Sequence, residues 1–280
     1  MTTQTTPVPL LDLNDGNRIP QLGFGVFQVP ADETADTVAH ALQTGYRLID
    51  TAAAYGNEEG VRDALQASEL ERSDVFITTK LANPEHGRSR ARRAFRESLE
   101  KLGGDYVDLY LIHWPIPSKD LYLETWETLC AVKDAGSVRS IGVSNFQIEH
   151  LERIIDVTGV VPTVNQIELH PHLQQPELRR YHAEHGILTE AWSPLGRGEL
   201  LDDRAIQEIA SGHDRTPAQV VLRWHIQLGN VVIPKSATPS RIEENFQVFD
   251  FELKDSEMEA ITALDAGERI GPDPATFALA

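Results

Sequence analysis

The sequence contains a single cysteine, Cys130, among its 280 residues, so the chain cannot form a disulfide with itself. Its cysteine usage therefore gives no indication of an oxidising compartment. Basic residues are also scarce, because 25 Lys and Arg face 43 Asp and Glu and leave a formal net charge of −18. Since binding to a nucleic-acid backbone depends on neutralising phosphates, this acidic excess argues against a nucleic-acid partner.

Long apolar runs are missing as well. No run approaches the roughly 18 residues that indicate a membrane span. The opening residues, MTTQTTPVP, lack the basic-then-apolar pattern of a signal peptide. The composition that remains, 41% hydrophobic and 24% charged, is typical of a soluble globular protein. We therefore expect a cytoplasmic protein with no membrane partner.

Short apolar runs alternate with longer amphipathic stretches, and no Pro- or Ser-rich linker divides the chain. Eight of these runs are predicted strands, at 22–26, 47–50, 75–79, 107–112, 139–143, 163–167, 187–191 and 231–233. Strands that alternate with helices pair in parallel through right-handed crossovers. Eight such units in this length favour a closed barrel over an open sheet. The sequence therefore predicts a single α/β domain over residues 1–280, a (β/α)8 TIM barrel.

Two segments depart from this repeat. Residues 10–20 place Asn14, Asp15 and Gly16 between short apolar runs, which predicts a β-hairpin that plugs one end of the barrel. The interval between the seventh and eighth strands is too long for one helix. There, Thr216 and Gln219 have the spacing of a capping box, with proline between them at the first helical position. We therefore predict an extra helix before the eighth strand.

Catalytic groups of such barrels lie where the strands end. Polar, titratable or aromatic residues stand at seven predicted strand ends: Asp50, Lys80, His113, Ser144 with Asn145, Gln166, Trp192 with Ser193, and Lys235 with Ser236. Because neighbouring strands are about 4.8 Å apart, the first three of these ends can converge on one pocket.

Asp50, Lys80 and His113, together with Tyr55 from the loop after Asp50, suit the reduction of a carbonyl group. The ordinary pKa of tyrosine, near 10, is high for a proton donor at neutral pH. A neighbouring lysine ammonium stabilises the phenolate and acts to lower that pKa. We predict that Tyr55 is the general acid, that Asp50 keeps Lys80 charged, and that His113 orients the carbonyl oxygen.

Six segments of the chain resemble the aldo-keto reductase family: GYRLIDTAAAYGNE, FITTKL, DLYLIHWP, VRSIGVSNF, PTVNQIELHP and IPKSATPSRIEEN. The sequence is most similar to the short prokaryotic branch that includes 2,5-diketo-D-gluconate reductases. The resemblance implies that Asp50, Tyr55, Lys80 and His113 form a catalytic tetrad. It also implies a monomer that uses NADPH and no metal, and that reduces aldehydes and ketones to alcohols by hydride transfer.

The same resemblance assigns residues to the cofactor. Ser144, Asn145 and Gln166 match the group that binds the nicotinamide carboxamide, and Trp192 matches the ring stacked under the nicotinamide. Positions at the pyrophosphate and adenine are matched by four further residues: Ser193, Leu195, Glu244 and Asn245.

Lys235, Ser236 and Arg241 resemble the family's site for the adenosine 2′-phosphate. Thr238 is assigned to the cofactor as well, and together with the proline after it is typical of a helix start. A phosphate at this place would meet two cations and the positive end of a helix dipole. This arrangement favours NADPH over NADH.

The substrate pocket shows one departure from the family. Phe27 and Trp114 are predicted apolar walls, but the chain reads KLAN after the catalytic lysine, with Ala82 where the diketogluconate-type reductases usually carry tryptophan. The smaller side chain predicts larger or more varied carbonyl substrates than a sugar acid. The sequence leaves open whether the C-terminal stretch 267–280 covers this pocket or stays free of it.

Two other functions are compatible with parts of the sequence. A barrel glycosidase with Glu168 and Glu190 as its acids would need two opposed carboxylates about 5–10 Å apart, and Lys80 and Tyr55 would have no role. An NADPH-binding sensor subunit with little turnover is the second alternative, and the complete tetrad argues against it.

Four histidines receive a structural interpretation. His170 and His172 have the spacing of half a metal site, but no third ligand follows at a convincing distance, so we expect a structural loop. His182 and His185 are expected on one exposed helix face.

Overall fold

The computed structural model describes residues 7–278, and this part of the chain forms ten strands and ten α-helices. The strands are β1 (Leu10–Asp12), β2 (Arg18–Pro20), β3 (Phe24–Gly25), β4 (Leu48–Asp50), β5 (Phe76–Leu81), β6 (Val107–Ile112), β7 (Val138–Ser144), β8 (Val164–Glu168), β9 (Leu188–Trp192) and β10 (Val231–Val232). The helices are α1 (Ala31–Thr44), α2 (Glu58–Ala67), α3 (Arg88–Leu102), α4 (Tyr122–Asp134), α5 (Ile148–Thr158), α6 (Pro176–His185), α7 (Arg204–His213), α8 (Pro217–Gln227), α9 (Pro239–Phe246) and α10 (Asp255–Thr262).

The strands β3 to β10 form one parallel sheet in which each strand pairs with its neighbour along the chain. The sheet closes on itself through a parallel bridge between Leu22 and Val232. Around this bridge the Gly23 N–H donates to the Val232 carbonyl at 2.9 Å, and the Val232 N–H donates to the Gln21 carbonyl at 3.0 Å. The predicted (β/α)8 barrel is therefore confirmed.

The predicted hairpin is formed by β1 and β2, which pair antiparallel. Its Asn14 side chain donates to the carbonyls of Pro162 and Gly186, at 3.0 and 3.1 Å, which lie just before β8 and β9 begin. Leu13 and Ile19 are buried and pack with the apolar side chains inside the barrel. The hairpin thus plugs the end at which the strands start, and the opposite end is left for chemistry.

Alternate residues of each strand point into the barrel and form layers. The layer near the hairpin is apolar, with Leu48, Leu109, Val164 and Val231 in one cluster. Two residues further along β4 and β8, the next layer is polar. Its members, all buried, are Asp50, Lys80, Gln166 and Glu190. Because these side chains are almost completely buried, their polar groups depend largely on one another for hydrogen bonds.

The extra helix predicted before β10 is α8, which follows α7 within the same interval. Thr216 is its N-cap, and its hydroxyl accepts a hydrogen bond from the Gln219 N–H at 3.3 Å. The Gln219 side chain accepts in return from the Thr216 N–H at 3.0 Å. The capping box is therefore present as predicted, whereas α10 was not predicted.

The prediction that His182 lies on an exposed face is wrong. Its ring is fully buried between the Asn165 amide and the Thr189 hydroxyl, each 2.9 Å from a ring nitrogen. The reason is that β8 and β9 present polar side chains toward α6, so a polar residue of the helix can be satisfied there. His185 is exposed, as expected.

Residues 1–6, which carry much of the signal-peptide argument, lie outside the described residues, as do residues 279 and 280 of the C-terminal stretch. Within residues 7–278, no helix is long and apolar enough to cross a bilayer.

Thr216→Ala removes the capping hydroxyl of α8, which also donates to Glu244 Oε1 at 2.8 Å. We expect the free energy of unfolding to fall by about 1 kcal/mol, the usual cost of losing such a cap. Urea denaturation of the cofactor-free protein measures this change. Thr238→Ala is the matched control, because Thr238 is also an N-cap followed by proline but its side chain makes no capping hydrogen bond. Equal losses in the two variants would contradict the assignment.

Candidate active site

The polar layer is centred on an ion pair between Lys80 and Asp50. Lys80 is fully buried, and its Nζ lies 2.6 Å from Asp50 Oδ1 and 3.0 Å from the Thr51 carbonyl oxygen. Burial acts to lower the pKa of Lys80, but the charge of Asp50, its hydrogen bond and the nearby Tyr55 and Glu190 together raise the pKa above its ordinary value. Lys80 is therefore a fixed positive charge at neutral pH.

Tyr55 stands above this pair, in a 3₁₀ turn after β4. Lys80 Nζ lies 5.2 Å from the centre of its ring. Burial raises the pKa of Tyr55, and the charge of Lys80 acts in the opposite direction without reversing the shift. Lys80 thus acts to lower the pKa of Tyr55, as the sequence predicted, but the net shift of that pKa is upward. Tyr55 consequently holds its proton at neutral pH.

His113 follows β6 and meets the Tyr55 ring edge-on, with ring centres 5.7 Å apart. Burial and the neighbouring Lys80 charge lower the pKa of His113 to about 3. Its imidazole is therefore neutral under ordinary conditions, so one ring nitrogen carries a hydrogen that can be donated to a carbonyl oxygen.

Asn145 ties together three parts of the site. Its Nδ2 donates to the His113 carbonyl and to Ser144 Oγ, both at 3.0 Å, and its Oδ1 accepts from the Trp192 indole N–H at 2.8 Å. Asn145 adopts a φ of 62°, a backbone region that asparagine tolerates better than most residues. These bonds hold the indole of Trp192 beside the Asn145 amide, which is in turn bonded to the Ser144 hydroxyl.

Gln166 connects the ion pair to a second acid. Its Nε2 donates to Asp50 Oδ2 at 2.8 Å and to Glu190 Oε2 at 3.0 Å. Glu190 is fully buried, and burial raises its pKa to about 8. Neither Glu190 nor Glu168 lines the cavity described next, so the opposed carboxylates of a glycosidase are not formed there.

An apolar-walled cavity of about 430 Å³ opens over these groups. It brings together most of the predicted residues: Phe27, Asp50, Tyr55, His113, Trp114, Ser144, Asn145, Gln166, Trp192, Ser193 and Lys235. Lys80 lies beneath them. Leu195 lines a smaller adjoining cavity of about 150 Å³. Ala82 borders neither cavity, because it leaves β5 and enters the turn at Asn83–Glu85.

The residues predicted for a 2′-phosphate lie at the start of α9. Lys235 and Arg241 are exposed, and within residues 7–278 neither belongs to an ion pair of 4.0 Å or less. The Ser236 hydroxyl accepts from the Thr238 N–H at 3.0 Å, and Thr238 does not cap the helix with its side chain. Two unpaired cations beside an uncapped helix start suit a phosphate in an otherwise acidic protein.

The remaining predicted cofactor residues, Glu244 and Asn245, are on the last turn of α9. Glu244 accepts a hydrogen bond from the Thr216 hydroxyl at 2.8 Å, and Asn245 is buried. Glu244 therefore also joins α9 to the cap of α8.

The C-terminal stretch covers the cavity, which resolves the alternative that the sequence left open. The Phe277 ring lies 4.3 Å from the Trp114 ring, centre to centre. Gly271 packs so closely on Trp192 that a Cβ would stand 2.4 Å from the indole. These two residues, with Pro272 and Arg197, complete the cavity wall and were missed because their contacts are remote in sequence.

Glu168, at the end of β8, holds this tail. Its carboxylate accepts from the Ile270 and Gly271 N–H groups at 2.6 and 3.1 Å, and His170 Nε2 lies 3.0 Å away. Burial acts to raise the pKa of Glu168, but the hydrogen bonds from His170 and from the tail lower it overall. The histidine singled out as half a metal site therefore contacts Glu168, and the described residues contain no cluster of three or more metal-ligating side chains.

A barrel with a lysine-supported tyrosine, a neutral histidine and an indole beside amide groups has the features of a carbonyl-reducing oxidoreductase. The model of the Aldo/keto reductase family matches residues 21–266, and the chain belongs to that family. The enzyme class predicted from the sequence, an NADP(H)-dependent oxidoreductase, is confirmed.

Individual relatives match over nearly the whole chain. An aldo-keto reductase from Mycobacterium sp. (strain KMS) is 56% identical over 269 residues, which cover 96% of this chain and 98% of that protein. Methylglyoxal reductase DkgA from Escherichia coli (strain K12) is 52% identical over 270 residues, with the same coverage. A mutant of Gox0644 crystallised in complex with NADPH superimposes with a TM-score of 0.94 at 50% identity, covering 97% of this chain and 99% of that one.

Glu168→Ala removes the acceptor of two tail N–H groups. Hydrogen bonds to a charged group contribute about 1.5–3 kcal/mol each, so we expect the tail to open at least tenfold more often. Carboxypeptidase digestion followed by mass spectrometry measures how fast residues are removed up to Phe277. Glu177→Ala, an exposed glutamate on α6, is the control and should digest like the unaltered protein. Identical digestion rates for all three proteins would rule out the proposed hold on the tail.

Proposed function

We propose that this chain reduces aldehydes and ketones to alcohols with NADPH, and that Tyr55 is its proton donor. One observation carries the proposal: the Tyr55 ring lies 5.2 Å from the ammonium of a buried lysine and beside a neutral histidine at the wall of an apolar cavity. A carbonyl oxygen placed between Tyr55 and His113 receives two hydrogen bonds.

Each member of the tetrad has a separate task. Bound NADPH would supply a hydride to the carbonyl carbon. The Tyr55 O–H transfers its proton to the carbonyl oxygen, and the phenolate that remains is stabilised by the Lys80 ammonium 5.2 Å from the ring centre. Asp50 keeps that ammonium charged and in place. His113 orients the oxygen as a neutral donor.

The arrangement around the cavity fits the cofactor. The Trp192 indole, fixed by Asn145, offers a flat surface for the nicotinamide, and Ser144 and Gln166 lie at its edge. Lys235 and Arg241 are available for the 2′-phosphate, because no described carboxylate pairs with them. Ser193 and Leu195 line the smaller cavity between these two regions and are suited to contact the pyrophosphate.

The substrates we propose are small carbonyl compounds, including α-oxoaldehydes such as methylglyoxal, since DkgA relatives carry that name at 52–54% identity. The apolar wall built by Phe27, Trp114 and Phe277 favours compounds with one apolar face. Ala82 lies away from the cavity, so the described geometry gives no support to the enlargement expected from the missing tryptophan. We further propose that the protein acts as a cytoplasmic monomer on small molecules, consistent with its net charge of −18.

Tyr55→Phe removes the proton donor and leaves the ring contacts with Phe27 and His113. We expect turnover of methylglyoxal to fall at least 100-fold while NADPH still binds, because the cofactor contacts lie elsewhere. The rate of NADPH absorbance loss measures turnover, and quenching of tryptophan fluorescence measures binding. Tyr106→Phe, at the hairpin end of the barrel, is the control and should keep full activity.

Retention of more than a tenth of the activity by Tyr55→Phe would show that another group donates the proton. A single stoichiometric burst of NADPH oxidation by the unaltered protein would favour the sensor subunit instead.

Lys235→Ala and Arg241→Ala each remove one cation from the start of α9. We expect the Michaelis constant for NADPH to rise at least tenfold, equivalent to about 1.4 kcal/mol, and that for NADH to change less than threefold. Initial-rate measurements with both cofactors give the two constants. Lys254→Ala, an exposed lysine at the start of α10, is the control. Equal changes for NADPH and NADH would place the 2′-phosphate elsewhere.

A further inference from the structure

Glu190 is a fully buried acid that none of the steps above uses. It lies at an inward position of β9, two residues before the Trp192 indole, and it does not line the cavity. Its Oε1 has no hydrogen-bond partner among the described residues. A buried carboxyl group with an unpartnered oxygen is unfavourable for folding, and an apolar residue would fill the same space without that cost.

Within residues 7–278, the Glu190 carboxyl group accepts one hydrogen bond, which comes from Gln166. The two residues are directly opposite each other in the pairing of β8 with β9. Gln166 Nε2 has two hydrogens, and the two acceptors it reaches are Glu190 Oε2 at 3.0 Å and Asp50 Oδ2 at 2.8 Å. Both hydrogens of the Gln166 amide are therefore used. The Gln166 carbonyl oxygen, Oε1, is the part of the amide that is left to face the cavity.

One acceptor alone would hold this amide less well. The terminal torsion of a glutamine side chain has a broad energy profile, so a single hydrogen bond leaves the amide plane able to turn. Two acceptors on different strands fix both the plane and the order of nitrogen and oxygen. Asp50 is itself fixed in position, because its other oxygen, Oδ1, accepts a hydrogen bond from Lys80 Nζ at 2.6 Å.

We propose that Glu190 is a positioning residue that acts through Gln166: with Asp50, it fixes the Gln166 amide so that only its carbonyl oxygen faces the N–H2 group of the nicotinamide carboxamide. The inference rests on the proposed function, since it concerns how the cofactor is oriented. It predicts that Glu190 affects the nicotinamide end of NADPH and leaves the 2′-phosphate end unaffected.

The acceptor, and not the charge, is what the positioning needs. Glu190→Gln keeps an oxygen in the same place and can accept the same hydrogen bond. Glu190→Leu and Glu190→Met remove the acceptor and put an apolar side chain of similar volume in its place. Thr78→Val is a matched control, because it removes another buried side-chain oxygen of the barrel strands that has no hydrogen-bond partner among the described residues.

Dissociation constants for two ligands separate the two ends of the cofactor. NADPH contains the nicotinamide, whereas adenosine 2′,5′-bisphosphate contains only the phosphate-bearing end. We expect Glu190→Leu and Glu190→Met to weaken NADPH binding at least tenfold and to bind the bisphosphate within twofold of the unaltered protein. Glu190→Gln and Thr78→Val should bind both ligands within threefold of it.

A double-mutant cycle with Gln166→Ala tests the route of the effect. If Glu190 acts through Gln166, replacing it by leucine in the Gln166→Ala background changes NADPH affinity less than twofold. The proposal would be overturned if the losses of NADPH affinity from Glu190→Leu and Gln166→Ala were additive. It would also be overturned if Glu190→Leu and Glu190→Met bound NADPH as well as the unaltered protein, or if they bound both ligands equally more weakly. Failure of the proposed function is a distinct result, because the unaltered protein would then bind NADPH without turning over carbonyl substrates.

Discussion

The contact between the Lys80 ammonium and the Asp50 carboxylate, both shut away from water, is the interaction on which the rest of the site depends. Removing two charges from water is costly, and the cost is offset only where geometry is good and the remaining polar atoms are bonded. Here the pair is 2.6 Å apart, the Thr51 carbonyl accepts from Lys80, and Gln166 donates to the second Asp50 oxygen. Each of the two charged groups thus has a further hydrogen-bond partner in the barrel interior, in addition to the other.

The barrel explains how such a pair can exist. Asp50, Lys80, Gln166 and Glu190 come from four different strands, and the alternation of side chains places them in one layer. An apolar layer and the hairpin close the barrel below them, and the C-terminal tail, held by Glu168, covers the cavity above. Burial of the pair strengthens the electrostatic effect of Lys80 on Tyr55.

The acidic composition is compatible with a phosphate-rich cofactor because of distance. Charges beyond the Debye length, about 8 Å at physiological salt, are largely screened. What matters at the start of α9 is local: two exposed cations, Lys235 and Arg241, that no described acid neutralises. The net charge of −18 therefore does not prevent a phosphate from binding at this place.

Local patterns in the sequence were sufficient for much of the fold. Strand and helix periods predicted the barrel, turn residues predicted the hairpin, and the spacing of Thr216 and Gln219 predicted the start of α8. The strand ends also predicted eight of the residues that line the cavity. These features depend on neighbours within a few positions along the chain.

The features that could not be predicted from the sequence depend on contacts between residues far apart along the chain. The hold of Glu168 on Gly271 joins positions 103 residues apart, and no local pattern marks either of them. Periodicity could not show that α6 faces polar side chains, so His182 was misplaced. The net pKa of Tyr55 reflects a balance of burial against Lys80, and burial is known only from the packed structure.

The central claim is that the buried Lys80 charge enables proton donation by Tyr55. Single-turnover oxidation of NADPH by methylglyoxal in Lys80→Met tests it most directly, because methionine is an unbranched side chain only one atom shorter than lysine and carries no charge. The account predicts a rate at least 100-fold below that of the unaltered protein, with NADPH affinity changed less than threefold. A rate within fivefold of the unaltered protein, in a variant that folds and binds NADPH, would contradict it.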